Sequence, residues 1–340
     1  MKKFLTLLFC SMFALAGFLG FNSSTVKADA VKYTVSAEIP NNQVNKKLTY
    51  FDLKVAPNST QDLKIKIINN DSVEHTYDVA VNRASTNVNG LVDYSQHGTK
   101  KDPSLKYDIE SMFPAPERIT IPANTTKEVT LTLKVPNQKF SGVLLGGIRV
   151  LQEINNQKPS KKEFSVNNQF AYVIGLKLQQ STDEVKPDMK LTNVKAEQNN
   201  GQNNITADLQ NDEPTLMDDV NVDATVTPEN GTKSVLKVDK KNMSMAPNSN
   251  FAMPVSLNNQ PLKAGKYTMH ISANAEKGKD KWNMKRNFTV TPKAAAKLNT
   301  TAVGQASQPN YNLIIALIVA AALIVIGLLI WNFKNQRRRR

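Results

Sequence analysis

The sequence predicts an all-β protein with two tandem immunoglobulin-like β-sandwich domains, followed by a single C-terminal transmembrane helix. Short segments in which alternate residues are apolar recur along the chain. They are separated by turn residues at intervals of roughly 8 to 12 positions, as in antiparallel sandwiches. Long helical periodicity is absent from this part of the sequence. One uncharged stretch of 23 residues, 311–333, stands near the carboxyl end and is typical of a membrane span.

The first residues are predicted to be an export signal. The basic "MKK" is followed by an apolar run, and "VKADA" supplies small residues for cleavage. We expect a signal peptide over residues 1–28, cleaved after Ala28 or after Ala30. The single cysteine of the chain, Cys10, lies inside this segment. The mature protein is therefore expected to fold without disulfides and to have no thiolate metal site.

Between these two ends, two-residue alternation predicts half-buried strands. The strands cover residues 62–68, 77–81, 118–121, 128–135, 172–178, 205–210, 220–227, 234–238, 267–273 and 286–290. A chain of this length needs two sandwiches of ordinary domain size to hold them. The polar stretch "NNQKPSKKE" (155–163) is the expected boundary. It gives a first sandwich over 31–155, a second over 163–296 and a small-residue stalk over 297–310.

The tetrapeptide APNS occurs twice, at 56–59 and at 246–249, and "IPAN" at 121–124 has a similar composition. Proline presets φ for a turn, and the side chains of Asn and Ser hydrogen-bond to nearby backbone. A strand follows each copy. The copies therefore predict corner turns that lead into strands. They are consistent with two similar sandwich modules, although coincidence of common turn residues explains each copy about as well.

Residues 311–333 are long enough to span a membrane, since a helix rises about 1.5 Å per residue and the hydrocarbon core is about 30 Å thick. Lys334 and the arginines at 337–340 predict that the tail, 334–340, is cytoplasmic. We therefore expect a single-pass protein of the cell membrane with an extracellular N-terminal ectodomain. A sortase signal would need an LPxTG motif before the apolar stretch, and the sequence lacks one there.

Charge and motifs argue against two classes of function. The net charge of +14 falls to +7 once the basic start and the cytoplasmic tail are set aside, and no basic block with interleaved aromatics indicates a nucleic-acid partner. His75, His97 and His270 lie outside any metal or nucleophile motif. Asp218 and Asp219 would face opposite sides of a strand, which makes them a poor acid–base pair. We expect a non-catalytic protein with no cofactor and no metal.

Several stretches together resemble the WxL-protein-interacting surface proteins of Gram-positive bacteria. The resemblance covers nearly the whole chain and depends on the order and spacing of the stretches. In the first domain they are "IPNNQ" (39–43), "YFDLKVAPNSTQDLKIKIINN" (50–70), "ASTNVNGLVDYS" (84–95) and "FSGVLLGGIRV" (140–150). In the second they are "NNQFAYVIGLKL" (167–178), "LQNDEPTLM" (209–217), "MSMAPNSNFAMPVSL" (243–257), "AGKYTMHISA" (264–273), Trp282 and the anchor that ends in arginines.

The resemblance implies a membrane-anchored adhesion or scaffold protein that binds WxL-domain proteins. It also implies that the first domain binds peptidoglycan or another cell-wall polymer, and that the second binds host components such as extracellular matrix. These assignments apply to whole domains and define no residue-level site. A different class stays open at this point: an extracytoplasmic chaperone that lends a strand edge to secreted client proteins.

A binding surface is predicted on the first domain from its exposed aromatic and polar residues. Alternation in "YFDLKV" places Tyr50 and Asp52 outside the core. Tyr94 and His97 belong to a long polar loop, the kind of segment on which contact residues are often found. The amphipathic rings of Tyr50 and Tyr94 are candidates for stacking on a sugar ring of peptidoglycan.

The apolar run "SGVLLGGIRV" (141–150) has two interpretations. As a buried strand, its two glycines would permit a bulge or close backbone approach. As an exposed sheet edge, it would accept a strand from a partner such as a WxL protein through backbone hydrogen bonds. The full candidate binding surface is Tyr50, Asp52, Tyr94, His97, Gly146 and Gly147.

Overall fold

The computed structural model describes residues 31–153 and 169–303, and the single residues 319 and 326. The predicted signal peptide, the stretch 155–163 and almost all of the predicted span 311–333 lie outside the described residues. Within the described ranges, no helix has both the length and the apolarity needed to cross a bilayer. The described chain is built from strands, with one α-helix and two short 3-10 turns, which confirms the predicted all-β class.

The first sandwich begins at Tyr33 and consists of two packed sheets. Its strands are β1 (Tyr33–Glu38), β2 (Phe51–Lys54), β3 (Thr60–Asn69), β4 (His75–Arg83), β5 (Ser85–Thr86), β6 (Val92–Asp93), β7 (Glu117–Ile121), β8 (Thr126–Lys134), β9 (Val143–Gln152) and β10 (Ala171–Gln179). One sheet has the order β1-β3-β8 and the other the order β2-β10-β9-β4-β7, while β5 and β6 form a separate hairpin. A 3-10 turn, Ile109–Met112, precedes β7.

The second sandwich repeats this connectivity. Its elements are β11 (Met189–Asn199), β12 (Gln202–Asn211), β13 (Met217–Pro228), β14 (Leu236–Met245), β15 (Ser249–Ser256), β16 (Gly265–Ala275), β17 (Asp280–Val290) and the helix α1 (Pro292–Thr301). The sheet β11-β12-β15 corresponds to β1-β3-β8, and β14-β13-β16-β17 corresponds to β7-β4-β9-β10. Each unit is therefore a sandwich of seven main strands, and β2 is an addition that pairs in parallel with β10.

Two expected boundaries differ from the structure. The segment predicted as the first strand of the second sandwich is β10, which pairs with β9 and β2 and places Ile174, Leu176 and Leu178 in the first core. The first sandwich therefore extends to Gln179, because its large sheet is incomplete without this strand. The expected stalk from 297 is also shorter, since α1 packs on the second core through Ala295 and Leu298.

The alternation read from the sequence determines both cores. In β3, Leu63, Ile65 and Ile67 are at most 1% exposed, while the residues between them face solvent or the sheet surface. Phe51 and Leu53 are fully buried, as predicted. Each such side chain contributes about 1.5–3 kcal/mol relative to an exposed one. Both cores consist of residues between 33 and 295, so a soluble fragment of residues 29–310 contains both cores complete.

A cluster of tyrosines closes one end of the first core. The ring of Tyr33 lies 5.0 Å from that of Tyr77 and 4.9 Å from that of Tyr172, centroid to centroid. Tyr77 is 0% exposed, and no group in the described ranges forms a hydrogen bond with its hydroxyl. Burial, reinforced by the nearby Tyr33 and Asp71, raises the pKa of Tyr77 to about 12.

This raised pKa predicts a stability loss at alkaline pH. Unfolded Tyr77 ionises near its ordinary pKa of 10.0, whereas folded Tyr77 stays neutral up to about pH 12. Ionisation therefore favours the unfolded chain in this window. We expect the free energy of unfolding to be unaffected by Tyr77 below about pH 10 and to fall between 10 and 12, as measured by urea unfolding. The fall should be smaller in Tyr77→Phe, but not absent, because burial also raises the pKa of Tyr33.

The corner turns are confirmed, but the true structural repeat differs from the repeated tetrapeptide. The side-chain amide of Asn211, 0% exposed, donates to the carbonyls of Thr215 at 2.7 Å and Ala246 at 3.0 Å. In the first sandwich Asn69, also 0% exposed, donates in the same way to Val73 at 2.8 Å and to the carbonyls at 121 and 122. The counterpart of "APNS" at 246–249 is therefore the turn at 122–125, not the identical sequence at 56–59.

The two sandwiches contact each other through a joint formed by the second APNS corner. The hydroxyl of Thr86, in the β5–β6 hairpin, lies 2.6 Å from that of Ser249 in a buried contact. Asp102, only 6% exposed, accepts a hydrogen bond from Gln210 at 2.8 Å and another from Asn250. The stretches "ASTNVNGLVDYS" and "MSMAPNSNF" thus form opposite sides of one interface.

Candidate functional site

Two glycines pair on neighbouring strands of the five-stranded sheet, where Tyr50 and Tyr94 pack on its outer face. Gly147 of β9 lies directly opposite Gly175 of β10, so no side chain projects from the sheet at this point. A Cβ atom on Gly175 would lie 3.4 Å from Cδ2 of Tyr50, and one on Gly147 would lie 2.6 Å from Cγ1 of Val173 and 3.1 Å from Cβ of Tyr94. Both tyrosines therefore pack on glycine backbone, and Tyr50 is 38% exposed. We call these four residues the tyrosine–glycine platform.

Tyr50 and the edge strand β2 that follows it are held by the "IPNNQ" stretch. The side chain of Gln43, 5% exposed, donates to the carbonyl of Tyr50 at 2.7 Å and accepts from the amide of Asp52 at 3.0 Å. Val44 donates its amide to the carbonyl of Asp52 at 2.7 Å. Because Gln43 covers the free edge of β2, the backbone of Tyr50 is fixed beside Gly175.

The loop that carries Tyr94 and His97 is attached to β4. Asn82, 0% exposed, donates its side-chain amide to the carbonyl of Tyr94 at 2.7 Å. Nδ1 of His97 lies 3.2 Å from the side-chain oxygen of Asn82 and 3.1 Å from the carbonyl of Val81. The imidazole remains 40% exposed. The loop therefore presents Tyr94 and His97 from fixed positions on the sheet.

A buried ion cluster organises the rest of this loop. Arg83 is 7% exposed, and its guanidinium lies 2.7 Å from Asp108 and 3.7 Å from Glu110. It also donates to the carbonyl of Thr99 at 2.7 Å. Burial raises the pKa of Asp108, but hydrogen bonds from Lys101 and Arg83 outweigh it and leave that pKa below its ordinary value. The paired charges hold the loop against β4 and the 3-10 turn.

Two of the six residues of the predicted binding surface, Asp52 and Gly146, are not available to a ligand, because other residues of the protein pack against them. Asp52 points away from the core, as expected, yet it is only 5% exposed, because Gln179 donates to it at 3.2 Å and Lys177 lies 3.5 Å away. Gly146 faces inward, where a Cβ atom would lie 2.7 Å from the carbonyl oxygen of Asn82 and 3.1 Å from Ile109. Gly146 therefore permits close packing, while Tyr50, Tyr94, His97 and Gly147 reach the outer face or its adjoining loop.

The exposed-edge interpretation of 141–150 is wrong. Strand β9 is hydrogen-bonded to β10 on one side and to β4 on the other, with continuous register on both. Its backbone groups are occupied by these ladders, so a partner strand cannot be added here. The buried-strand interpretation is confirmed. Gly146 and Gly147 allow other residues to pack closely against opposite faces of β9, and the strand has no bulge.

The platform can bind through ring faces and neutral hydroxyl groups. Burial raises the pKa of Tyr94, and the nearby Tyr50 and Asp218 raise it further, so its phenol is neutral at ordinary pH. Rings of this kind present an apolar face together with a polar tip. Among the described residues, no cluster of three or more His, Cys, Asp or Glu side chains is placed to hold a metal ion.

Sequence reasoning missed the residues that position the platform. Gly175 lies in "YVIGLKL", which was interpreted as a strand of the other domain, so its pairing with Gly147 was not foreseen. A glycine inside a strand often marks a close approach, and that signal was available at 175. Gln43, Asn82 and Arg83 gave no such signal, because their roles depend on contacts with segments distant in sequence.

Comparison with protein-family models matches both sandwiches. Residues 33–152 match the peptidoglycan binding domain of the WxL Interacting Protein family, and residues 161–300 match its host binding domain. Two sandwiches with these matches define a surface binding protein. The chain belongs to the WxL Interacting Protein family. The second match includes β10, although this strand pairs within the first sandwich.

Comparison with solved structures finds bacterial chaperones at low similarity. The Pseudomonas aeruginosa CupB2 chaperone is 13% identical, with 68% of this chain and 95% of that chain covered and a TM-score of 0.27. The E. coli chaperone DraB is 14% identical, with 76% and 96% covered and a TM-score of 0.27. TM-scores this low say nothing about the function of this chain. Comparison with curated proteins gives no match.

Proposed function

We propose that the chain is a non-catalytic scaffold of a Gram-positive cell surface, anchored in the membrane by residues 311–333. Its two sandwiches are extracellular and its tail, 334–340, is cytoplasmic. It binds WxL-domain proteins and peptidoglycan, and its second sandwich binds host matrix components. The family membership supports the partners, and the predicted export signal and membrane span support the location and orientation.

The tyrosine–glycine platform is the observation that carries the wall-binding part of this proposal. It lies in the domain that matches the peptidoglycan-binding model. Tyr50 and Tyr94 are held against a rigid sheet by Gln43 and Asn82, so little conformational freedom is lost when a ligand stacks on them. Because the glycines lack side chains, the surface that a sugar ring would approach consists of the two tyrosine rings and the exposed side chain of Val173.

We expect Tyr50→Ala and Tyr94→Ala to weaken sedimentation of the 29–310 fragment with purified cell wall. Aromatic contacts contribute about 0.5–1.5 kcal/mol each beyond buried area, so the double variant should bind roughly tenfold more weakly. Tyr50→Phe and Tyr94→Phe are matched controls, because they keep the ring that stacks. Sedimentation of the double alanine variant at the parental level would contradict the platform.

A pull-down with the same fragment distinguishes binding to a protein partner from binding to the wall polymer. Envelope extract should yield a stably bound WxL-domain protein, whereas purified wall tests peptidoglycan alone. Recovery only together with unfolded secreted clients would favour the chaperone alternative. Release of soluble wall fragments by the pure fragment would contradict the non-catalytic assignment.

A further inference from the structure

An open apolar pocket lies at one end of the second sandwich, between its two sheets. Its volume is about 400 Å³, and its walls include Val226, Leu257 and Phe288. Lys233 and Lys263 also line it, from the two loops that border the opening. Pockets of this size with apolar walls and few polar groups are typical of small-molecule sites. The pocket is separate from the tyrosine–glycine platform, which belongs to the first sandwich.

Strand register places this pocket at the end opposite the joint. Strand β12 starts where β15 ends, as shown by the pairing of Asn204 with Ser256, and β13 ends beside the start of β16, where Pro228 pairs with Tyr267. The loops between these strands surround the pocket. The corners that contact the first sandwich, including Pro214, lie at the other ends of the same strands.

The chain leaves the second sandwich at the pocket end. Leu262, in the pocket wall, exchanges two hydrogen bonds with Asn299 of α1, at 2.9 and 3.0 Å. Val303 then donates to Gly201 in the β11–β12 turn at 2.8 Å. Residues 304–310 separate this point from the predicted span, and seven residues reach at most about 25 Å. A span at 311–333 would therefore keep the pocket end close to the bilayer.

The pocket end is both cationic and partly apolar. Val235 is 51% exposed and Val303 is 70% exposed. The loops and the helix at this end contribute one acidic residue, Glu229, and several exposed lysines: Lys233, Lys263, Lys293 and Lys297. Each lysine near an anionic lipid surface contributes about 1 kcal/mol of attraction. Apolar surface beside basic residues is also the composition of segments that bind at membrane interfaces.

We propose that the pocket binds an acyl chain of an anionic membrane lipid, with Lys233 and Lys263 contacting its headgroup. The second sandwich then rests on the outer face of the membrane with the joint and the first sandwich pointing away from it. This inference depends on the proposed membrane anchoring for its geometry. It adds a lipid as a ligand and assigns the residues that bind it.

Vesicle binding by the 29–310 fragment tests the headgroup contact. The fragment should bind vesicles of phosphatidylglycerol and phosphatidylcholine at least tenfold more tightly than vesicles of phosphatidylcholine alone. Lys233→Glu combined with Lys263→Glu should remove most of this difference. The control is Lys237→Glu with Lys281→Glu, which changes net charge equally at exposed lysines outside the pocket. Equal weakening by both pairs would overturn the proposal, because it would mean nonspecific attraction.

Acyl-chain entry needs a separate measurement. Val235→Trp places a fluorescent side chain at the exposed mouth of the pocket, and phosphatidylglycerol with brominated acyl chains should quench it beyond the parental level from Trp282. Vesicle binding without added quenching would overturn acyl insertion. Quenching by monomeric brominated fatty acid, with no binding to vesicles, would replace the membrane lipid by a free amphiphile and also overturn the proposal.

The anchoring proposal has its own readout. Full-length chain carrying both lysine substitutions should stay in the membrane fraction, because the span does not depend on the pocket. If this variant stays in the membrane fraction while the unsubstituted 29–310 fragment fails to bind phosphatidylglycerol vesicles, only the lipid proposal is overturned. If the unsubstituted full-length chain is absent from the membrane fraction, the anchoring proposal fails, whatever the fragment binds.

Discussion

Replacing Asn211 by alanine is expected to destabilise the second sandwich by about 2–4 kcal/mol, one of the largest effects of any single polar substitution in this chain. The fully buried amide bonds the carbonyls of Thr215 and Ala246 and accepts from the amide of Glu213 at 3.2 Å. Alanine would leave these backbone groups without partners in a place that water does not reach. Unsatisfied buried groups cost about 1–3 kcal/mol each, and partial relaxation reduces the sum.

Urea unfolding of the 29–310 fragment measures this effect directly. Trp282 is the only tryptophan in the fragment and packs against the second core, so its fluorescence follows the second sandwich alone. A loss of this size corresponds to a midpoint shift of about 1–2 M urea. Asn283→Ala is the matched control, since Asn283 is exposed on β17 and should change stability by less than about 0.5 kcal/mol. A similar shift in both variants would contradict the role of the corner.

The strands and their buried faces could be predicted because they depend on local pattern. Alternation is a property of adjacent residues, and in β3 and β8 it gave both the strand and the face that is buried. Corner turns were equally readable, because Asn124 and Asn248 adopt positive φ and asparagine tolerates that conformation. Features of this kind need no knowledge of which strand is the neighbour.

The partner of each strand could not be predicted. The stretch "YVIGLKL" looks the same whether it begins one sandwich or completes another, and only the pairing of β10 with β9 and β2 decides. The polar boundary at 155–163 suggested a division there, although the sheet continues past it. The equivalence of Asn69 and Asn211 was hidden for the same reason, because each amide bonds backbone brought together by the fold.

Which way each candidate residue faces could be predicted only in part. Outward alternation correctly placed Tyr50, and the loop position correctly exposed His97. That Tyr50 and Tyr94 lie on paired glycines follows from the register of β9 and β10, which the sequence does not encode locally. Alternation did not predict the burial of Asp52. Its side chain faces outward but is covered by Lys177 and Gln179 of the neighbouring strand.

The stretches that carry the family resemblance have structural roles in the fold. The "IPNNQ" stretch closes the edge beside Tyr50, and "LQNDEPTLM" supplies both the Asn211 corner and Pro214 of the joint. Several stretches therefore meet at the joint instead of at a ligand site. We infer that the family pattern specifies how the two sandwiches are oriented as much as what each one binds.

Substituting Gly142 by alanine should disrupt the joint. Gly142 has φ +69°, and a Cβ atom there would lie 2.1 Å from the carbonyl oxygen of Pro214 in the other sandwich. That oxygen accepts the amide of Val143 at 2.8 Å, so neither side can move without breaking the contact. Left-handed strain costs about 1–2 kcal/mol, and loss of a buried hydrogen bond adds about 1–3 kcal/mol.

Gly98 provides a control for the strain alone. It has φ +68° and no heavy atom within 4 Å of the position that Cβ would occupy. Gly98→Ala should therefore lose about 1–2 kcal/mol in the first sandwich and leave the radius of gyration of the fragment unchanged in small-angle scattering. Gly142→Ala should enlarge that radius and expose the joint to protease. If the two variants scatter alike, the collision is relieved locally and the Pro214 contact does not fix the angle between the two sandwiches.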